Sequence, residues 1–299
     1  MDLSKRSLVE RLNFLLTNRI PRRVLTLFMG WFSKIENPLV CWLSISVWKL
    51  FADDLRLFEA KKQRFRSLHE CFVRELKTGA RAIDVRSDSL ISPCDAIIGQ
   101  FGDIDGLELI QAKGFPYTLD DLLGSQETAA VFRDGRFATL RLKSSMYHRF
   151  HAPRSGTVSD IGYISGDTWN VNPIALKVIE RLYCKNERVV ISLPVPGETA
   201  LVMLVAVAAI LVASVRIHGL NEPLNLCYRG TNRILCDLSL AKGDEIGYFE
   251  HGSTIILLTS REYRFADGIE SGQTIRMGET LMIKNNFLHW CNDTVMLSG

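Results

Sequence analysis

The chain lacks the patterns of a disulfide-bonded, zinc-ribbon or membrane-spanning protein. Its seven cysteines are scattered over 299 residues and form no C-x-x-C pair, so we expect reduced thiols in a cytosolic setting. The longest apolar run, Ala200 to Ala213, is shorter than the roughly 18 residues that a spanning helix needs. It is rich in valine, and we interpret it as one or two buried strands. The N-terminus has no signal-peptide pattern, so we expect any membrane contact to be peripheral.

The sequence also lacks a charge excess. Lys and Arg number 36 against 33 Asp and Glu, which leaves +3, whereas a dedicated nucleic-acid binder usually carries a strong basic excess. We therefore expect no nucleic-acid partner. Hydrophobic residues make up 47% and charged residues 23%, the composition of an ordinary globular protein.

Several common catalytic motifs are missing. The sequence contains no G-x-S-x-G, G-x-G-x-x-G, G-x-x-x-x-G-K-[ST] or H-E-x-x-H, which removes local support for hydrolase, dinucleotide, P-loop and zinc-protease readings. His148 and His151 form an H-x-x-H pair. Zinc sites use three or four protein ligands, so we expect no metal and leave a structural role for the pair open.

The first 51 residues combine basic and aromatic side chains. Residues 24–51 hold Trp31, Trp42 and Trp48 among leucine, isoleucine and phenylalanine. This pattern is typical of helices that lie at a bilayer surface, although two ordinary helices packed on the protein would also fit it. The basic residues before position 24 are Lys5, Arg6, Arg11, Arg19, Arg22 and Arg23.

The character of the sequence changes near residue 85. Residues 52–80 have the mixed charge and apolar spacing of helices, whereas short β-rich runs separated by Gly, Pro and Asp turns follow. We predict an α+β fold with a helical, membrane-interfacial region over 1–84 and a β-rich body over 85–299. The runs are LISPCDAIIGQFG, LELIQAKGF, RFATLRL, RVVISL and TIILLTS.

Six short sequence motifs follow one another along this body. They are Ser92-Pro93-Cys94-Asp95, Gln111-Ala112-Lys113-Gly114, Tyr147-His148-Arg149-Phe150-His151 with Pro153, Gly166-Asp167 with Val171-Asn172-Pro173, Asn186-Glu187-Arg188, and Lys242-Gly243-Asp244-Glu245-Ile246-Gly247 before Gly252-Ser253-Thr254. Together they resemble the phosphatidylserine decarboxylases, a family of self-cleaving, pyruvoyl-dependent enzymes. The order and spacing agree from about residue 70 to 260.

The resemblance implies a self-cleavage triad of Asp95, His151 and Ser253. The Ser253 hydroxyl, activated by His151, would attack the carbonyl of Gly252 and divide the chain into 1–252 and 253–299. Glycine at position 252 suits a bent peptide because it has no Cβ. The serine remnant would become a pyruvoyl group, which is the implied covalent cofactor.

The implied reaction is the decarboxylation of phosphatidylserine to phosphatidylethanolamine. The pyruvoyl carbonyl would form a Schiff base with the lipid amine and accept the electron pair that CO₂ leaves behind. His148 is the implied proton donor. The two chains of the precursor stay partners, and we expect peripheral attachment to the cytoplasmic side of the cell membrane. Homodimer formation is left open.

Five positions depart from the family pattern. Ala96, Ala208 and Ala213 replace glycines, Met146 replaces an acidic residue, and His251 replaces leucine. An alanine is costly where φ must be positive. Two alternatives therefore stay open: an unprocessed, non-catalytic lipid-binding relative, and a pyruvoyl decarboxylase of a soluble amino acid. The basic, tryptophan-rich N-terminus argues against the second alternative.

Overall fold

A computed structural model describes residues 21–112, 115–194, 201–211, 214–250 and 253–285. The helices in these ranges are mostly short. They are α1 (Arg22–Phe32), α2 (Pro38–Phe51), α3 (Leu68–Phe72), α4 (Leu119–Leu123), α5 (Gln126–Val131), α6 (Pro173–Leu176) and α7 (Leu182–Lys185), with a 3₁₀ turn at Leu57–Glu59. No helix within the described ranges combines the length and the apolar character that a bilayer crossing needs.

Strands make up most of the regular structure in the described ranges. They are β1 (Ser89–Ile91), β2 (Ala96–Asp103), β3 (Glu108–Ala112), β4 (Phe115–Thr118), β5 (Arg136–Leu142), β6 (Arg149–His151), β7 (Gly156–Ile164), β8 (Arg188–Pro194), β9 (Leu201–Ala208), β10 (Ser214–Ile217), β11 (Leu224–Asn225), β12 (Arg233–Leu240), β13 (Glu245–Phe249), β14 (Ser253–Thr259), β15 (Tyr263–Phe265), β16 (Thr274–Ile275) and β17 (Thr280–Lys284). The prediction of a β-dominated body is confirmed. The proposed division between residues 84 and 85 stays a prediction.

One large antiparallel sheet organises the body. Its eight strands run in the order β12-β7-β8-β9-β14-β5-β2-β16. Smaller sheets of order β11-β10-β13-β6 and β1-β17-β15, and the β3-β4 hairpin, complete the described sheets. Strands β9 and β14 lie in the middle of the large sheet and pair with each other, Ser253 opposite Ala208.

The central strands are apolar on both faces because both faces of the large sheet are covered. Along β9, Leu204 and Ala206 face a core shared with the two smaller sheets, whereas Met203 and Val205 face a second core under α4 to α7. A strand buried on both sides has no polar alternation. This arrangement accounts for the valine-rich run and confirms its interpretation as strand over 201–208.

The two N-terminal helices leave much of their apolar surface uncovered. Asn37 caps α2 by accepting hydrogen bonds from the backbone N–H groups of Leu39 and Val40 at 3.0 and 3.1 Å. Along both helices, large apolar side chains are exposed. They include Val24, Leu27, Phe28, Trp31, Leu39, Trp42, Leu43, Val47, Leu50 and Phe51.

The helical texture expected over residues 52–80 is found only at the 3₁₀ turn and α3. The rest of this segment folds back on itself, so its backbone bonds run across the loop. Lys61 N–H donates to Glu75 O, and Lys77 N–H donates to Glu59 O, both at 2.9 Å. Helical spacing of apolar residues was therefore overridden by tertiary pairing.

Candidate active site

Ser253 is the first residue of β14 and lies at the end of the central strands. It pairs with Leu142 of β5 on one side and Ala208 of β9 on the other. The residue is fully buried, and its Oγ has no hydrogen-bond partner among the described residues. Buried hydroxyls are normally paired, and Ser253 shares this unpaired state with the next residue of the strand, Thr254.

A cavity of about 800 Å³ lies across the strand ends at Ser253. Its apolar wall comes from α1, α2 and α3, and its polar side comes from β5, the segment before α6, and Ser253 itself. The apolar lining comprises Met29, Phe32, Leu43, Val47, Trp48, Phe51, Leu68 and Phe72, and the polar lining includes Arg141, Lys143, Asn170 and Asn172. Such a space suits a molecule with one charged and one apolar part.

Two glycines shape the approach to β14. Gly243 has φ of +87°, a left-handed conformation that favours glycine, and Ala241 N–H donates to Asp244 in the same turn at 2.7 Å. At Gly247, an added Cβ would lie 2.0 Å from the carbonyl oxygen of Arg216. The Lys-Gly-Asp-Glu-Ile-Gly segment is therefore needed to seat β13 against its neighbours.

His148 and His151 lie on opposite faces of one extended segment. β6 pairs with β13, and Phe249 N–H donates to His148 O at 3.0 Å, which continues the ladder to residue 148. Side chains three residues apart on a strand point to opposite sides. The H-x-x-H spacing therefore separates the two imidazoles here, whereas on a helix it would bring them together.

His148 lies on the side of the serine cavity. Its ring is fully buried and packs on Phe72, a wall residue of that cavity, with 4.0 Å between ring centroids. Nδ1 is 2.8 Å from Met146 O. A carbonyl only accepts, so Nδ1 carries the hydrogen and Nε2 is the basic nitrogen of the neutral ring.

His151 lies in a second cavity of about 450 Å³, which Tyr147, Arg81 and Glu245 also line. Its Nδ1 donates to Gly243 O at 2.8 Å, so Nε2 accepts from the Tyr147 hydroxyl at 3.0 Å. Burial lowers the pKa of His151, which favours the neutral ring.

Asp95 lies beside this second cavity. Arg81 Nε donates to its Oδ1 at 2.9 Å, and Met277 N–H donates to the same oxygen at 2.9 Å. His151 N–H donates to the carbonyl of Pro93 at 2.8 Å, which joins the Ser-Pro-Cys-Asp segment to the histidine strand. The structure thus brings Asp95 and His151 to one region through backbone contacts and Arg81.

The described contacts link Ser253 to the His148 side of the strand, and Asp95 and His151 to the other side. Both ring nitrogens of His151 are engaged by Gly243 and Tyr147. The triad of Asp95, His151 and Ser253 stays a prediction. Gly252 and His251 lie outside the described residues, as does Ala213.

The alanines at two departures from the glycine pattern fit their places. Ala96 begins β2 and Ala208 ends β9, and both are buried. Neither is among the described non-glycine residues with positive φ, which are Arg56, Asp134, Arg181 and Leu211. Alanine therefore adds no backbone strain at either position.

Other motif residues hold the scaffold around Ser253. Asn186 donates to Ala208 O at 2.9 Å, at the strand end opposite Ser253. Gln111 donates to the carbonyls of Leu176 and Ile179 at 2.9 and 2.8 Å. Lys113 and Gly114 of the same motif lie outside the described residues.

Arg141 is a cavity residue that sequence reasoning missed. It is half-buried on β5 and lines the same cavity as Ser253. Its signal is the cation near the end of the run RFATLRL, a strand whose other interior positions are small or apolar. A cation within a buried strand indicates a polar partner at that depth.

A comparison with known families agrees with the order of the six segments. The family model described as phosphatidylserine decarboxylase matches residues 68–283. Its match starts at α3 and therefore leaves out α1 and α2.

Curated relatives are similar over most of their length. The chain is 36% identical to the phosphatidylserine decarboxylase proenzyme of Brevibacillus brevis over 276 residues, which covers 90% of this chain and 96% of the relative. The proenzyme of Vibrio parahaemolyticus is 35% identical, with 89% and 96% covered. That of Acinetobacter baylyi is 32% identical, with 88% and 92% covered.

Proposed function

The chain belongs to the phosphatidylserine decarboxylase family, and on that premise we propose that it converts phosphatidylserine to phosphatidylethanolamine. In this carboxy-lyase reaction the bond between the carboxylate and the amine-bearing carbon breaks, CO₂ leaves, and a proton takes its place. The observation that carries the proposal is the cavity at Ser253, which has apolar helical walls and a polar end. A soluble amino acid has no long apolar part that could contact those apolar walls.

We propose that the protein matures by cleavage before Ser253. The Oγ of Ser253 attacks the carbonyl carbon of residue 252, and the peptide becomes an ester. Elimination then frees residue 252 as a carboxylate, and water displaces the nitrogen of residue 253 as ammonia. The buried Oγ without a described partner supports this role, because it is not already committed to a structural hydrogen bond.

We further propose that cleavage leaves a pyruvoyl group at residue 253, which the proenzyme names of the relatives support. Such a group supplies a carbonyl that joins the lipid amine and accepts the electron pair of the breaking C–C bond. The protein holds residue 253 between β5 and β9, and burial keeps bulk water from it. The small and large chains, 253–299 and 1–252, stay paired through this sheet.

We assign His148 the proton that replaces the carboxylate, and Asp95 and His151 the activation of Ser253. His148 packs against a wall residue of the serine cavity, which supports its role near the substrate. His151 is buried, and burial lowers its pKa, which favours the neutral form that a general base needs before cleavage. In the arrangement described above its Nε2 accepts from Tyr147, so reaching Ser253 would require that bond to break.

The test of the central proposal is intact-mass analysis of the purified protein together with CO₂ release from phosphatidylserine. We expect two chains, with residues 253–299 blocked at their N-terminus. Ser253→Ala should remain one chain and release no CO₂. Ser260→Ala is a matched control, because Ser260 Oγ is also buried without a described partner. A wild-type protein that stays uncleaved would support the non-catalytic alternative instead.

The histidine roles are separated by comparing cleavage with turnover. His151→Ala and Asp95→Asn should stay uncleaved or cleave slowly. His148→Ala should cleave at least in part and decarboxylate poorly. Normal cleavage and normal turnover in these variants would remove the assigned roles.

We further propose that α1 and α2 attach the protein peripherally to the cytoplasmic side of the cell membrane. Their exposed apolar side chains adjoin the cavity: Leu43, Val47 and Phe51 are exposed and also line it. A lipid could therefore enter from the bilayer without crossing water. Sedimentation with anionic vesicles should show binding that salt weakens only in part and that detergent reverses. Homodimer formation is left open, and light scattering measures it.

A further inference from the structure

Arg141 differs from the other buried arginines of the described chain. Four others donate to carbonyl or carboxylate oxygens at 2.5–2.8 Å: Arg74, Arg81, Arg149 and Arg188. The guanidinium of Arg141 has no hydrogen bond or ion pair with any described residue, and burial lowers its pKa. A half-buried cation that faces a cavity without a counter-charge has lost part of its hydration with no ion pair in return, so its position requires an explanation.

The cavity beside Arg141 offers no free negative charge among its described lining residues. The acidic residue among the cavity's described lining is Asp53, and it is paired with Lys143 at 2.8 Å. The titratable side chain that lies near Arg141 is the phenol of Tyr183. Burial raises the pKa of that phenol, which keeps it neutral. The cavity therefore presents one uncompensated positive charge.

The register of the sheet fixes where this charge lies relative to Ser253. Leu142 is directly opposite Ser253, and Arg141 is opposite Thr254. Paired residues share a face of the sheet, so the side chains of Ser253 and Arg141 start on opposite faces. Both still border the cavity, because it lies across the strand ends. An anion bound by Arg141 would therefore lie in the same cavity as residue 253, but not directly beside it.

We propose that Arg141 binds the phosphodiester of the lipid headgroup, an inference that rests on the proposed function. A planar guanidinium matches two phosphate oxygens. In the headgroup, the carboxylate is attached directly to the amine-bearing carbon, whereas a methylene and an oxygen separate that carbon from phosphorus. The offset of Arg141 from position 253 suits the more distant anion.

The energetics of the reaction also favour the phosphate over the carboxylate. The carboxylate loses its charge as CO₂ departs, so a cation paired with it would stabilise the ground state more than the transition state and slow the reaction. The phosphate keeps its charge throughout. A cation paired with it contributes equally to both states, which lowers KM without changing kcat.

The test compares Arg141→Gln with Arg141→Lys in the cleaved enzyme. We expect Arg141→Gln to raise KM for phosphatidylserine in mixed micelles by roughly 10-fold or more, with kcat within about twofold of wild type. Arg141→Lys keeps the charge and should fall between. Arg136→Gln, at the other end of β5 and paired with Asp103, is the matched control and should leave KM unchanged.

Product inhibition identifies which anion is bound. Phosphatidylethanolamine has the phosphate but no carboxylate, so its inhibition constant should rise in Arg141→Gln by the same factor as KM. A rise in KM alone, or a higher kcat, would assign Arg141 to the carboxylate and overturn the proposal. Unchanged KM and inhibition would also overturn it.

Two further measurements keep the test decisive. If Arg141→Gln does not fold, the same comparison is made with Arg141→Lys. In the wild-type enzyme, glycerophosphoethanolamine should inhibit and ethanolamine should not; equal inhibition by the two would contradict a phosphate contact. Failure of the proposed function itself is seen earlier, as a wild-type protein that releases no CO₂.

Discussion

The N-terminal helices and the sheet body place the same side chain in opposite environments. Leu257 on β14 is fully buried, whereas Leu50 on α2 is 79% exposed. The large sheet is covered on both faces, so its apolar residues stabilise the fold. The helices cover one edge of that body and leave apolar side chains facing outward, where they can only lower the free energy by contact with something else.

Several polar contacts join the two regions. Arg22 of α1 pairs with Asp167, and Lys34 pairs with Glu250 at 3.2 Å. Leu211 N–H also donates to the hydroxyl of Thr26 at 3.1 Å. Many apolar side chains of the helices instead line the cavity or lie at the surface. Four predictions test this division between an inward apolar region, which is the core of the sheet body, and an outward apolar region, which is the exposed side of α1 and α2.

The largest expected effect is on the inward region. Leu257→Ala should lower the free energy of unfolding by about 2–5 kcal/mol, because it leaves a void between packed strands. Leu50→Ala should change it by less than about 0.5 kcal/mol. Urea unfolding in a Ser253→Ala background, which keeps one chain, measures both. Similar losses for the two leucines would contradict the division.

The next effect concerns a buried acid where the regions meet. Burial raises the pKa of Glu187, which accepts a hydrogen bond from Tyr163, from 4.5 to about 7. Between those values the folded protein holds a proton that the unfolded chain has lost. Stability therefore falls as pH rises from about 4.5 to about 7, by at most about 3 kcal/mol. The free energy of unfolding, measured at several pH values in this range, should depend less on pH in Glu187→Gln than in wild type. Glu222→Gln changes an exposed residue and should keep the wild-type pH dependence.

A smaller effect tests the outward region with two equally exposed leucines. Leu50→Ser on α2 should weaken binding to anionic vesicles roughly 10-fold, because it removes one apolar side chain from the membrane contact. Leu235→Ser on β12, where the leucine is 77% exposed, should leave vesicle binding unchanged. Equal losses would mean that the membrane contact is not confined to the helices.

The smallest expected effect is at the polar join. The guanidinium of Arg22 lies 3.6 Å from the ring centroid of Trp169 and pairs with Asp167. Arg22→Met should cost about 1 kcal/mol or less and speed amide exchange in α1. A double-mutant cycle with Asp167→Asn measures the coupling. No coupling would mean that other contacts hold α1.

The sequence predicted the body better than the region before it. Both faces of the large sheet are buried, so its central strands read as unbroken valine- and leucine-rich runs between turn residues. The six motif segments located Ser253, Asp95 and the two histidines. They could not reveal that His148 and His151 face opposite sides, since that follows from the pairing of β6 with β13.

The remaining features depend on contacts distant in sequence. The role of Arg141 follows from its having no partner among the described residues in a cavity whose lining comes from seven separate stretches of the chain. The loop over 52–80 has helical spacing, but its backbone pairs Ala60 with Leu76 instead. Local patterns carry no information about such partners.

The position of β14 between β9 and β5 has a consequence for the lifetime of the protein. Cleavage before Ser253 would leave a central strand of the large sheet on a separate, shorter polypeptide. Before the cut, folding is a search within one chain; afterwards, recovery from denaturation would require two molecules to meet and one to be threaded between two strands. The mature state would then be reached once per polypeptide. Unfolding by heat would then be irreversible. The lifetime of the mature protein in the cell would be set by its rate of unfolding, and unfolded molecules would be replaced only by new synthesis.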